Sequence, residues 1–228
     1  MMIFLLSATA IAGVAGLVPA RHCGRSSSSP LRAATVPATD LQREILALLE
    51  PYGSPALNVP AAVAAEVDAR CAELEATARP APLAMLDGRW RVEYATAPPP
   101  SNGALGPVRG AAFQIVDSER RSYVNELTLF DAVTVALRAS FEDRGDDELR
   151  VTFRDIELSV LGNRVFKKAF PPGVERTWLL SYTDASTRIV RAGVDGGRSV
   201  ARDVGLIEAG AGEAKDAYLF VLRRADES

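Results

Sequence analysis

Apolar and polar positions along the chain follow three successive patterns, and each predicts a different kind of structure. Residues 3–18 are an almost unbroken apolar run with small residues at Ala12, Ala15 and Gly16. The run is too short and wrongly flanked for a membrane span and reads as a signal-peptide core. From Asp40, whose side chain suits an N-cap, Leu41, Ile45, Leu48 and Leu49 recur at helical spacing until Pro51, which predicts a short amphipathic helix. Gly53 and Pro55 mark a loop over 52–59. Pro60 then opens a second helix with Val63, Val67, Cys71 and Leu74 along one side, closed by Pro80 and Pro82. At Gly88 the period changes to two, because Trp90, Val92 and Tyr94 alternate with Arg89, Arg91 and Glu93, the pattern of a half-buried strand.

The period-two regime persists to the end of the chain. Strands are predicted over 111–116, 123–129, 133–141, 149–158, 175–182, 187–192 and 218–223, which with the first makes eight. Their connections carry turn chemistry at Asn102-Gly103, Asp117-Ser118, Gly145, Gly162-Asn163 and Asp184-Ala185-Ser186, so neighbours in sequence are predicted to pair as antiparallel hairpins. An up-and-down barrel of about eight strands encloses room for one small apolar ligand. A sandwich has the same pattern.

Composition sharpens the reading of the first segment. After the apolar run comes a stretch with Arg21, Arg25 and Arg32, four consecutive serines and no acid, the composition of a transit peptide. The two addresses in series resemble the bipartite leaders of proteins imported into plastids wrapped in extra membranes; secretion ahead of a Ser-rich linker is the alternative. We therefore divide the chain into a leader (1–33), a helical segment (34–84) packing on the barrel, and a β-domain (85–228). The whole chain carries a net charge of -3; without the three leader arginines the remainder stands at -6, which argues against nucleic acid as a partner. The only histidine, His22, and one of two cysteines, Cys23, fall in the leader. The mature chain then has no imidazole for zinc or general-base chemistry and no disulfide.

Two segments bring a family into view. Residues 86–96, Leu-Asp-Gly-Arg-Trp-Arg-Val-Glu-Tyr-Ala-Thr, follow a proline-containing linker over 74–83. Residues 178–184, Trp-Leu-Leu-Ser-Tyr-Thr-Asp, are followed by Arg188-Ile189-Val190-Arg191 and by Tyr218-Leu219-Phe220-Val221-Leu222. These resemble the opening "LDGxWxLxYT" and closing "WxxxYLDxxLRIxRG…FVL" of the plastid lipid-associated protein (fibrillin) family, over about residues 41–224. The sequence departs from that pattern at 193–217, where a Gly-rich insertion of unassigned role replaces a short turn. The resemblance implies a lipocalin-like antiparallel β-barrel with two N-terminal α-helices, located at plastid thylakoids or plastoglobules. Implied ligands are carotenoid, quinone, tocopherol or fatty acid; implied partners are a peripheral membrane or lipid-droplet surface and an enzyme of prenyl-lipid synthesis. No cofactor and no catalytic residue is implied. Gly88-Arg89-Trp90 also resembles the lipocalin Gly-x-Trp, whose Trp closes the barrel floor against an Arg of the last strand, for which Arg223 is the candidate.

The candidate site residues follow from position. Trp90, Tyr94, Phe113, Val135, Phe153, Trp178, Tyr182 and Phe220 occupy alternating strand positions and either line a ligand cavity or fill a dry core. Asp184, Arg188 and Arg191 either orient a polar head group at the barrel mouth or form a turn cap and outer-face ion pairs. The acids of 142–148 lack metal-loop spacing and read as a solvated hairpin turn; 193–199 lacks the lysine of a phosphate loop; Cys71 reads as core.

The leading functional expectation is a non-catalytic barrel holding an apolar ligand. A surface coat of lipid bodies is the alternative, with the apolar side of the first helix as its contact and packing over the barrel mouth as the competing role for that side. A lipid-modifying isomerase would need a buried acid or phenol, with Tyr94, Tyr182 and Asp184 in view.

Overall fold

The computed structural model describes residues 37–145, 147–193 and 217–225. The leader, Asp146 and nearly all of the 193–217 insertion lie outside them. Helix α1 (Ala38–Leu49) runs into a 3₁₀ turn at Glu50–Tyr52, and α2 (Ala61–Glu75) is followed by a second 3₁₀ turn at Leu83–Leu86. α1 starts ahead of Asp40, with Pro37 as its N-cap. Asp40 is therefore a first-turn residue and not the cap: proline's fixed φ starts the helix early, and the carboxylate instead pairs with Arg43 at 3.0 Å.

The strands are β1 (Gly88–Ala95), β2 (Ala104–Leu105), β3 (Val108–Arg109), β4 (Ala111–Asp117), β5 (Ser122–Leu129), β6 (Val133–Gly145), β7 (Glu148–Val160), β8 (Asn163–Ala169), β9 (Glu175–Thr183), β10 (Thr187–Ala192) and β11 (Tyr218–Arg224). β2 and β3 form a separate small hairpin. Eight of the others close a ring in sequence order, β1-β4-β5-β6-β7-β9-β10-β11 and back to β1, every pairing antiparallel. The molecule is an up-and-down barrel, which removes the edges an open sheet would leave.

The sequence pattern assigns the β8 segment to the connection before β9, and the structure makes it a strand. All seven of its residues are exposed, so nothing in its pattern alternates with burial. It exists because β7 is longer than its contact with β9. Glu148 to Thr152 pair with β9, and from Asp155 onward the same edge of β7 takes β8. The other edge of β8 has no strand partner among the described residues.

Two cores sit on the two faces of the wall. The inner core includes Trp90, Val92, Tyr123, Phe141, Val151, Phe153, Trp178, Phe220 and Leu222. The outer core lies where Leu41, Ile45 and Leu49 of α1 and Val67, Cys71 and Leu74 of α2 cover Tyr94, Tyr182, Ile189, Leu219 and Val221. The apolar side of α1 thus lies buried against the outer wall, neither offered to a lipid surface nor packed over the mouth. Polar ties hold the same contact: Arg191 reaches Glu75 at 2.8 Å and Asp68 at 2.9 Å, and Gln42 donates to the Tyr182 hydroxyl at 3.0 Å.

Candidate functional site

Trp90 is fully buried at the base of the barrel, its indole N–H donating to the Leu86 carbonyl at 2.8 Å. Its ring lies between two guanidinium groups, Arg224 at 4.2 Å and Arg188 at 4.9 Å, a cation on an aromatic face from each. Arg224 also donates to the carbonyls of Met85, Asp87 and Ala185. Gly88 stands where its φ is +104° and where a Cβ would lie 3.0 Å from the Arg224 guanidinium, so this first position of Gly-x-Trp admits glycine alone without strain. Arg223, the expected partner, points outward and pairs with Glu93 at 3.0 Å. Leu222 faces inward, and strand alternation therefore turns Arg223 out and Arg224 in.

Arg188 is 1% exposed and lies inside the barrel, not at its mouth. One terminal nitrogen donates to Gln114 Oε1. Its Nε, the Gln114 side-chain nitrogen and the Thr183 hydroxyl are buried with no hydrogen-bond partner among the described residues. Burial pushes the Arg188 pKa down to about 10, Tyr123 acting the other way and Arg224 adding to the fall, so the group stays charged at neutral pH. Tyr123, also fully buried, has its phenol pushed well up by burial. It packs edge-on to Trp178 at 4.6 Å and donates to Asn125 Oδ1 at 3.1 Å.

Asn125 belongs to the wall of a cleft of about 300 Å³, counting its solvent-open part. The cleft opens beside Pro100 and Ser101, and Ala112, Leu127, Val135 and Leu137 give it apolar walls. The space is narrow, and only a small part of it would admit a water molecule. The same apolar face continues across the strands: Val133 is opposite Val160, Val135 opposite Leu158, and Leu158 opposite Phe166.

The predicted lining residues divide. Trp90, Phe153, Trp178 and Phe220 are inner-core residues packed on their neighbours, with Trp178 and Phe220 stacked at 6.4 Å and Phe153 at 6.1 Å from Phe170. Val135 lines the cleft. Phe113 also borders the cleft, while its ring, opposite Arg91 in register, carries the Arg89 guanidinium 3.7 Å above it on the outer face. Tyr94 and Tyr182 also belong to the outer core. In both strands a register shift, between Val92 and Tyr94 and between Ile189 and Arg191, breaks the alternation, and a bulge turns the following residues to the other face.

Of the three head-group candidates, Asp184 caps its turn and does not face the barrel mouth. It accepts from the backbone N–H groups of Ser186 and Thr187, each at 2.7 Å, and from the Tyr182 hydroxyl at 2.7 Å. Burial alone would raise its pKa, but these donors and Gln42 hold it below the usual carboxylate value. Arg191 is likewise on the outer wall, tied to α2. Only Arg188 is inside.

Sequence reasoning missed Gln114, Tyr123 and Asn125. The alternation Ala112, Gln114, Val116, all buried, was the available signal for the first. Cys71 is core as read: burial first, then the charges of Glu75 and Asp68, against Arg191, push its thiol up to about 12. The acidic turn behaves as a turn, with Asp143 accepting from the Gly145 N–H at 2.9 Å and Glu142 pairing with Arg144 at 2.7 Å. No family model matches this chain, and no curated protein matches it.

Proposed function

We propose that this chain is a plastid lipid-associated protein of the fibrillin kind, in which a non-catalytic barrel holds one apolar prenyl-lipid or acyl ligand through the cleft bounded by Val135 and Leu137. The observation that carries the reading is the apolar inner face of β6 and β7, with Phe166 of β8 beside Leu158 at its end. It runs from the packed core past the cleft to Val160 and Phe166, both exposed. Apolar surface left uncovered at a concave opening is what a lipid-holding site requires. Each methylene buried there adds about 0.8 kcal/mol. The resemblance at 86–96 and 178–222, together with the leader composition, supports a site at thylakoids or plastoglobules.

The test is organic extraction and mass spectrometry of the full chain after exposure to a plastid-like lipid mixture. One stoichiometric apolar species is expected, and Leu137→Trp, which fills the cleft, removes it from protein with an unchanged melting temperature. Folded wild-type protein that yields no such species, or a species equally retained by Leu137→Trp, rejects the reading.

A second reading, a coat on lipid bodies, rests on different residues from those the sequence suggested. Phe130 and Leu161 are 80% and 75% exposed at the tips of the β5–β6 and β7–β8 hairpins, and the Leu161 N–H donates to the Ala132 carbonyl at 2.7 Å. The bond ties the two hairpin tips together, and each presents a large apolar side chain to solvent. Loss of flotation with lipid droplets in Phe130→Ser/Leu161→Ser, with ligand content unchanged, would favour this role; flotation unaffected by the pair removes it. The isomerase reading loses its named residues, because Tyr94, Tyr182 and Asp184 all lie outside the barrel.

A further inference from the structure

Buried arginines are rare unless paired with an acid. Even the more exposed Arg89, Arg191 and Arg223 of the outer wall have acids, Glu126 for the first, Glu75 and Asp68 for the second and Glu93 for the third. Arg188 does not. Among the described residues its one hydrogen bond goes to a neutral amide oxygen, and the charged group acting on it is Arg224, of its own sign. Among the described residues, the positive charge of Arg188 inside the barrel is therefore uncompensated.

The unpartnered atoms show what is missing. Arg188 Nε and Gln114 Nε2 are both N–H donors, both buried, on two residues already bonded to each other. Two donors and one positive charge match the two oxygens and single negative charge of a carboxylate. A phosphate monoester brings three acceptor oxygens, more than these two donors satisfy. A neutral carbonyl or hydroxyl brings no charge. Gln114 is the cross-strand partner of Asn125, and Asn125 is a wall of the cleft. The donors thus lie one residue deeper than the apolar walls, where the head of a ligand whose tail fills the cleft would arrive. The Thr183 hydroxyl, on the cross-strand neighbour of Arg188 and unpartnered among the described residues, stands as a further donor.

We propose that Arg188 and Gln114 form a receptor, inside the barrel, for the carboxylate of a long-chain apolar acid; this rests on the reading of the barrel as a holder of apolar ligands. The full chain is titrated with the fluorescent polyene cis-parinaric acid and its methyl ester, and the bound acid is competed with palmitic acid and with hexadecanol. Palmitate is expected to compete about tenfold better than the alcohol, the scale of one charge-assisted contact. Arg188→Met is expected to abolish that preference while the methyl ester still binds. Gln114→Leu, which keeps the guanidinium, reduces the preference and decides the matter should Arg188→Met fail to fold. Melting separates binding from structure: the ligand-free Arg188→Met protein is expected to melt no lower than wild type and to lose the rise that palmitate gives. Equal competition by acid and alcohol in the wild type, or a preference that survives both substitutions, overturns the receptor and leaves the apolar-ligand reading standing. Failure of the acid, the alcohol and the ester alike overturns both.

Discussion

Trp90 ties together the 3₁₀ turn, the first strand and two arginines. Trp90→Ala is expected to cost about 3–5 kcal/mol, read as a lowered urea midpoint. It is therefore a poor probe of ligand contact, and Leu137→Trp is the better one. Asp184 sets an acid limit on stability. Its folded pKa lies below the ordinary 3.8, so its contribution is complete above that value and is lost as the pH falls through the lower, folded one. Asp184→Asn is expected to destabilise at about pH 7 and to match wild type at about pH 2, compared by urea unfolding. The Cys71 thiol, pushed up to about 12, stays protonated at ordinary pH. In the native protein Cys71 is expected to resist a thiol reagent at about pH 8, where an unperturbed cysteine reacts, and in the denatured protein to react at once, followed by peptide mapping.

At the scale of elements, β8 and the helices are opposites. β8 touches the barrel along one edge only and is exposed throughout, yet it carries Arg164, Lys167 and Lys168. Cationic side chains on a free strand edge oppose pairing with another molecule. Replacing Lys167 and Lys168 by threonine is expected to leave the melting temperature nearly unchanged and to produce concentration-dependent aggregation, followed by light scattering. β10 and β11 are flanked by strands on both edges and carry outer-face residues covered by α1 and α2. Their amide protons are expected to exchange slowest, and those of β8 that do not face β7 fastest. Arg191→Ala, which releases α2 from the wall, is expected to speed exchange in α2 selectively.

At the scale of the whole molecule, the mainly β barrel and the two helices before it were legible in the sequence because each rests on a local rule. Helical spacing placed Leu41, Ile45 and Leu49 together, period two announced β1 at Trp90, and turn residues at 117–118 and 184–186 separated strands that pair as neighbours. What the pattern could not carry was the count of residues between contacts. Two bulges turned Tyr94 and Tyr182 from the inside to the outside, and β8 left no alternation because both its faces are wet. The sequence by itself determined the two helices and the eight strands of the ring, since propensity and burial act within a few residues of each other. Only the closing of the ring decided which residues share its interior. It put Arg188, read as a surface charge or a mouth residue, beside Gln114 and Trp90, because facing is fixed by register across strands far apart in the chain.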